Sequence, residues 1–349
     1  MLAAELVAAV KSGEFCEDLN LSGADLTGAD LGGGLFQACD FSGANLASAR
    51  VKEAVFLGCN LTNASFFGAN CHHTVFNECH MGAAIFVGAT LKLTKFIQSS
   101  LQRASFRDTS SEMMMFIRSD LEGASFTGAK LDRTVIHESK VDGIDLTGSS
   151  IQRFFVSGID FRSVDLSAAA FEMAVLNQCC FSGMDLAGFF FDRCQLMESD
   201  FSDANLEGAR LPQANLKGAN LARANFTGAD CHRALLIEAN LEEARFAKAN
   251  LEQAVIERAN LHKADFSEAR LTQATLRGAD AHEASFLGAD LVYADLSNAN
   301  LENANLTLAS MFRAVLHGVK DTGAVIPNRS VALGTDEDRA RAEHWHSSP

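Results

Sequence analysis

From Ala204 to Ala314 every fifth residue is alanine, 23 repeats without a slip, and the residue two places on is nearly always Leu or Phe, as in Ala224-Asn225-Phe226-Thr227-Gly228. A period of five fits neither the 3.6-residue turn of an α-helix nor the two-residue alternation of a strand. It calls for a chain that buries one large and one small side chain and turns a corner, over and over. With the Leu/Phe site taken as the centre, the phase runs unbroken from Leu21 to Leu316. Of 60 centres, 58 are Leu, Phe, Ile, Val, Met or Cys, the exceptions being Ser111 and Ala281.

Four corners close a square coil of 20 residues, so equivalent sites should recur every 20. Phe36, Phe56, Phe76, Phe96 and Phe116 do so, as do Phe66, Phe86, Phe106 and Phe126, and so do Asn220, Asn240 and Asn260. Such columns predict like stacked on like at about the 4.8 Å spacing of hydrogen-bonded strands. Sixty centres in groups of four give fifteen coils.

The ends read differently. Leu2, Leu6 and Val10 put one apolar stripe on a short helix, over residues 1–15, that caps the first coil. Residues 16–316 form the solenoid. Residues 317–349 form a C-terminal cap segment and mobile tail, with Val319, Val325, Ile326, Val331 and Leu333 folding back on the last coil. Trp345, between His344 and His346, reads as an unstructured end or a docking tail.

These repeats resemble the A(D/N)LXX pattern of the pentapeptide-repeat family over about residues 16–316. The resemblance implies an all-β solenoid, a right-handed quadrilateral β-helix of about 15 four-sided coils with a short N-terminal capping helix. Members of that family include topoisomerase-binding DNA mimics and bacterial secreted effectors, so the resemblance bears on fold more than on function.

Charge and cysteine usage narrow the classes. The net charge of −15 includes no basic segment, which argues against direct nucleic-acid binding and against anionic membrane surfaces. No apolar run is long enough for membrane insertion. Eight of the nine cysteines follow the repeat register, which suggests buried free thiols in a reducing, cytoplasmic compartment, with export by a route that needs no signal peptide left open.

No phosphate loop, nucleophile elbow or metal motif is present, so the reading is not an enzyme, with no catalytic residue, cofactor or metal. His262 and His282 lie one coil apart, flanked in their column by Glu242 and Glu302, but a straight column of four spans too far to converge on an ion. The Asp203, Arg223, Glu243, Lys263 and Glu283 column alternates in sign, a ladder that relieves repulsion.

In the middle of the chain, Met114, Ile144, Phe154, Ile159, Val164, Met184 and Phe189 occupy the usually small site, so the coil should widen or these side chains turn outward. Around Thr109–Met115 either a bulge or irregular corner or a plain packing variation is expected.

The most informative surface pattern is apolar. Leu35, Val55, Val75, Met115, Val135, Phe155 and Val175, interrupted by Lys95, precede the centre at multiples of 20, and Leu57, Ile97, Ile117 and Met197 follow it. They predict an apolar stripe that docks a protein partner or a second copy as a homodimer. This makes the chain a non-enzymatic scaffold or interaction module. Two alternatives stand beside it: a DNA-mimicking topoisomerase-binding protein, using an acidic patch of Asp145, Asp165 and Asp185, and a bacterial secretion-system accessory or effector. The same aspartates could instead cap corners through their carboxylates.

Overall fold

The computed structural model describes residues 3–327 and 329–343, so Leu2 and the segment around Trp345 lie outside the described residues. The chain is a parallel β-solenoid that divides into two compact units, Met1–Val175 and Leu176–Pro349.

One repeat of the second unit shows why the pattern folds this way. Phe226 N–H donates to Arg245 O (2.6 Å) and Gly228 N–H to Ala247 O (2.9 Å) in the following coil; Asp230 N–H donates back to Ala209 O (2.9 Å). Ala229 N–H closes the corner on Phe226 O (3.0 Å). The fifth donor, Thr227 N–H, is taken by the side-chain oxygen of Asn225 at 3.1 Å. Every amide of the pentapeptide is thereby satisfied, and the Asp/Asn before the centre is the piece the backbone cannot supply. The third residue of the corner sits at positive φ, +66° at Gly228, as a type II turn requires. Alanine and the centre point inward, both fully buried at Ala229 and Phe226.

In the first unit many corners open into short strands. Phe15–Glu17, Leu35–Gln37, Val55–Leu57, Val75–Asn77, Lys95–Ile97, Met115–Ile117, Val135–His137 and Phe155–Ser157 form one parallel ladder. Ser110–Glu112, Lys130–Asp132, Ser150–Gln152 and Ala170–Glu172 form another. Registered partners are 20 residues apart, as expected; these ladders do not test the count of fifteen coils. The phenylalanine columns stack as predicted, with centroids 4.9 Å apart for Phe36–Phe56 and 4.8 Å for Phe66–Phe86. The two columns meet edge to face, for example Phe66–Phe76 at 5.7 Å.

An open corner frees one carbonyl and one amide, and buried thiols and hydroxyls take them. Cys59 Sγ donates to Phe36 O (3.5 Å), Cys79 Sγ to Phe56 O (3.4 Å), Ser99 Oγ to Phe76 O (3.3 Å) and Ser119 Oγ to Phe96 O (3.2 Å). Cys79 N–H donates to Ser99 Oγ (3.1 Å). Cysteine and serine in the alanine register are therefore hydrogen-bonding substitutes and not merely small residues. All nine cysteines are free, and burial pushes the Cys71 and Cys231 thiols up, away from reactivity.

The ends cap the coils. Helix α1 (Ala3–Ser12) packs Leu6 and Val10 against the solenoid beside Phe15–Glu17 and stops at Gly13, whose φ is +78°. At the other end the pairing continues past Leu316, with Asn300 bridging Lys320 and Asn305 bridging Val325. Leu333 folds back, its N–H donating to Ala314 O at 2.7 Å. Helix α2 (Glu337–Glu343) follows, in a stretch expected to be mobile.

Two expectations about the middle resolve clearly. The bulge around Thr109–Met115 is absent, since Ser110, Ser111 and Glu112 pair in continuous register with Lys130, Leu131 and Asp132. Ser111 is buried because its hydroxyl meets the Thr134 hydroxyl at 3.2 Å. The bulky residues mostly turn inward: Met114, Ile144, Phe154, Val164 and Phe189 are buried, whereas Ile159 and Met184 are half-buried. Packing there is imperfect, and an apolar cavity of about 20 Å³ opens between Phe126, Ile144, Phe154 and Phe161.

Candidate functional site

The first ladder sets the geometry of the apolar face. Because strand side chains alternate, a buried centre puts both its neighbours outward. Parallel register then aligns Leu35, Val55, Val75, Lys95, Met115, Val135 and Phe155 in one column. Leu35 and Phe155 are 47% and 43% exposed, and Val55, Val75, Met115 and Val135 are half-buried. The parallel column on the far side of the centres holds Leu57, Asn77, Ile97 and Ile117.

Val175 joins through its N–H to Phe154 O at 2.7 Å and is half-buried. Met197 belongs to the second unit, where its N–H bonds the Asn177 side chain at 3.0 Å. The sequence reading missed Phe15, which pairs with Leu35 and is 55% exposed. Its position, 20 residues before Leu35, was the available signal.

The aspartates take up the capping role. Asp145 accepts from Thr147 N–H (2.9 Å) and the Thr127 hydroxyl (2.7 Å), and Asp165 accepts from Ser167 N–H (2.9 Å). Asp185 accepts from the Asn205 side chain at 2.8 Å. Asp145 and Asp165 bridge directly in the ladder. In the sign-alternating column Arg223 pairs with Asp203 at 2.7 Å and Lys263 lies 3.9 Å from Glu283.

The histidine column stacks, with the His262 and His282 rings 5.4 Å apart. His262 Nδ1 lies 3.6 Å from Glu242, and His282 Nε2 lies 3.0 Å from Glu283, a residue outside the straight column. Among the described residues no helix is long and apolar enough to cross a membrane.

A solenoid of stacked five-residue corners, with repeated like groups on its faces, defines a repeat protein. The chain belongs to the pentapeptide repeat family, whose model (pentapeptide repeats) matches residues 20–56, 44–82 and 116–148 and an overlapping run from 181–213 to 289–320. No curated protein matches.

Among solved structures, a trypsin-treated form of QnrB1, a plasmid-mediated fluoroquinolone resistance protein, is 18% identical, covering 58% of this chain and 90% of that chain at a TM-score of 0.42. HetL, a pentapeptide repeat protein involved in heterocyst differentiation regulation from the cyanobacterium Nostoc sp. strain PCC 7120, is 20% identical, covering 96% of this chain and 94% of that chain at a TM-score of 0.16. Likeness at this level of identity speaks to fold alone. The comparisons indicate no catalytic family.

Proposed function

We propose that the protein is a non-enzymatic scaffold that docks a protein partner, a second copy included, on the apolar face of its first unit. The observation that carries the reading is the registered column from Phe15 through Leu35, Val55 and Val75 to Phe155, whose side chains face outward from a continuous ladder. Apolar surface aligned in this way, broken by Lys95, is costly to leave in water and supports a reading as an interaction site. A flat face of parallel strands offers shape for docking and no convergent groups for chemistry.

The alternatives have less behind them. The topoisomerase-binding reading rests on aspartates whose placement corner capping already accounts for, since Asp145 and Asp165 accept from corner amides. No residue specifically favours a secretion-system role.

The test replaces Val55, Val75, Val135 and Phe155 by Lys. Sedimentation velocity then compares the variant with the wild type, alone and with partners retained from the native cell. Loss of association with an unchanged circular dichroism spectrum is expected. Identical sedimentation in every mixture would overturn the reading.

A further inference from the structure

A second, polar site lies in the other unit, where His262, His282 and Glu283 each offer a ligand atom within 4.8 Å of the other two. The fold brings them together in two ways. His262 and His282 occupy the same corner position of adjacent coils, held in register by Lys263 N–H donating to His282 O at 3.0 Å. Glu283 is the next residue after His282 and takes the left-handed corner position, with φ of +57°, which turns its carboxylate back to the imidazole. The straight column of four, too long by its spacing to converge, is not the set that meets here. A neighbour along the chain supplies the carboxylate in place of Glu302.

The hydrogen bonding of this cluster is incomplete. His282 spends Nε2 on Glu283 and leaves Nδ1 buried with no partner. A buried polar nitrogen without a partner is uncommon; here it is the nitrogen turned away from Glu283, so it marks an underbonded ring rather than the ligand atom. Asn260, Asp280, Asn300 and Glu302 line the adjoining groove with the two histidines, and Glu242 faces His262. Asp280 and Glu302 in the groove and Glu242 beside His262 are acidic, and Lys263 lies 3.9 Å from the second oxygen of Glu283.

We infer that His262, His282 and Glu283 bind a divalent transition-metal ion of the zinc class, clipping two adjacent coils together. Two imidazoles and a carboxylate suit zinc, at bonds of about 2.0–2.2 Å, and leave a fourth position for water. Ligand atoms around such an ion lie about 3.0–3.4 Å apart. The 3.0 Å separation of His282 and Glu283 already meets this, and the widest pair closes by small side-chain rotations. Nε2 of His282, the nitrogen that faces Glu283, is the one placed to take the ion.

The test uses the untagged full chain, with Zn²⁺ in calorimetry and Co²⁺ as a spectroscopic probe. One Zn²⁺ per chain is expected, with Co²⁺ giving the d–d absorption of a low-coordinate nitrogen-and-oxygen site that excess Zn²⁺ bleaches. His262→Gln and His282→Gln should each weaken binding by about tenfold or more and Glu283→Gln should weaken it too, while His72→Gln leaves it unchanged. Circular dichroism reports whether each variant keeps the fold, and the Co²⁺ spectrum needs no variant. Absence of saturable uptake up to about 1 mM Zn²⁺, or full retention in the folded double histidine variant, overturns the inference.

Discussion

At the scale of single residues, the corner dictates the economy of the fold. Its third position is left-handed in nearly every repeat, Ser163 being an exception, and glycine fills it in many, whereas Leu308 holds it at φ of +61° while 76% exposed. A β-carbon there costs about 1–2 kcal/mol, and glycine brings back about 0.5–1 kcal/mol in chain entropy. Leu308→Gly should therefore stabilise the second unit by about 0.5–1 kcal/mol, read as a higher urea midpoint at unchanged slope. A lower midpoint would mean that Leu308 makes contacts its exposure hides. The need for a small inward residue and a large one was legible in the alternation of Ala and Leu/Phe. Corner capping by the Asp/Asn before the centre was one of two readings the sequence left open. Which amide is capped, the one that the ladder cannot reach, emerges from the hydrogen bond of Thr227 N–H to Asn225.

At the scale of elements, the sequence carried the phenylalanine columns and the coil of 20 but not the open corners. Both corner types use a buried centre followed by a left-handed residue, so the period looks the same. In the first ladder Cys59, Cys79, Ser99 and Ser119 bond a carbonyl that a closed corner would have used itself, but Met114, Phe154 and Ala174 follow open corners of the second ladder and Cys194 follows a closed one, so no single residue type marks the difference. The site divides likewise. The apolar column could be read from spacing alone, while the meeting of His282 with Glu283 depends on a left-handed backbone that no composition reveals.

The C-terminal helix was missed because its anchor lies outside it. His317 is buried, its Nδ1 accepts from Asp336 N–H at 3.2 Å, and its Nε2 meets Glu343 at 2.9 Å. Helix α2 buries no residue of its own, so this histidine is its main tie. His317→Ala should release it. Hydrogen exchange over residues 336–343 should quicken by about tenfold or more, with a much smaller change across residues 204–300. Equal protection in the variant would show that the helix is held by other means.

At the scale of the whole molecule, both units rely on carboxylates that cap corners, and this makes acid sensitivity a property of the repeat. At Asp145, Asp230 and Asp295 burial alone would push the carboxyl up. Hydrogen bonds from Thr147 and Thr127, from His232 and Asn250, and from Ser297 and Arg277 outweigh it and hold each below the ordinary aspartate range. Asp25 and Asp40 are lowered by Thr27 and by Ser42. A group with a depressed native pKa contributes stability that is fully present above its unfolded value, about 3.9, and that is lost as pH falls through the native value. The thermal midpoint should be nearly flat from about pH 7 to 5 and fall steeply below about pH 4.

Asparagine supplies the discriminating control, because it already performs the same capping at Asn225 and Asn250 without titrating. Replacing Asp145, Asp230 and Asp295 together by Asn keeps the acceptor oxygen and removes the proton-binding site. The variant should fold, lose some stability at neutral pH with its ion pairs, and show a shallower acid limb than the wild type. An acid limb of unchanged steepness would place the sensitivity in other carboxylates, and a midpoint insensitive to pH down to about 3 would remove corner capping as its cause altogether.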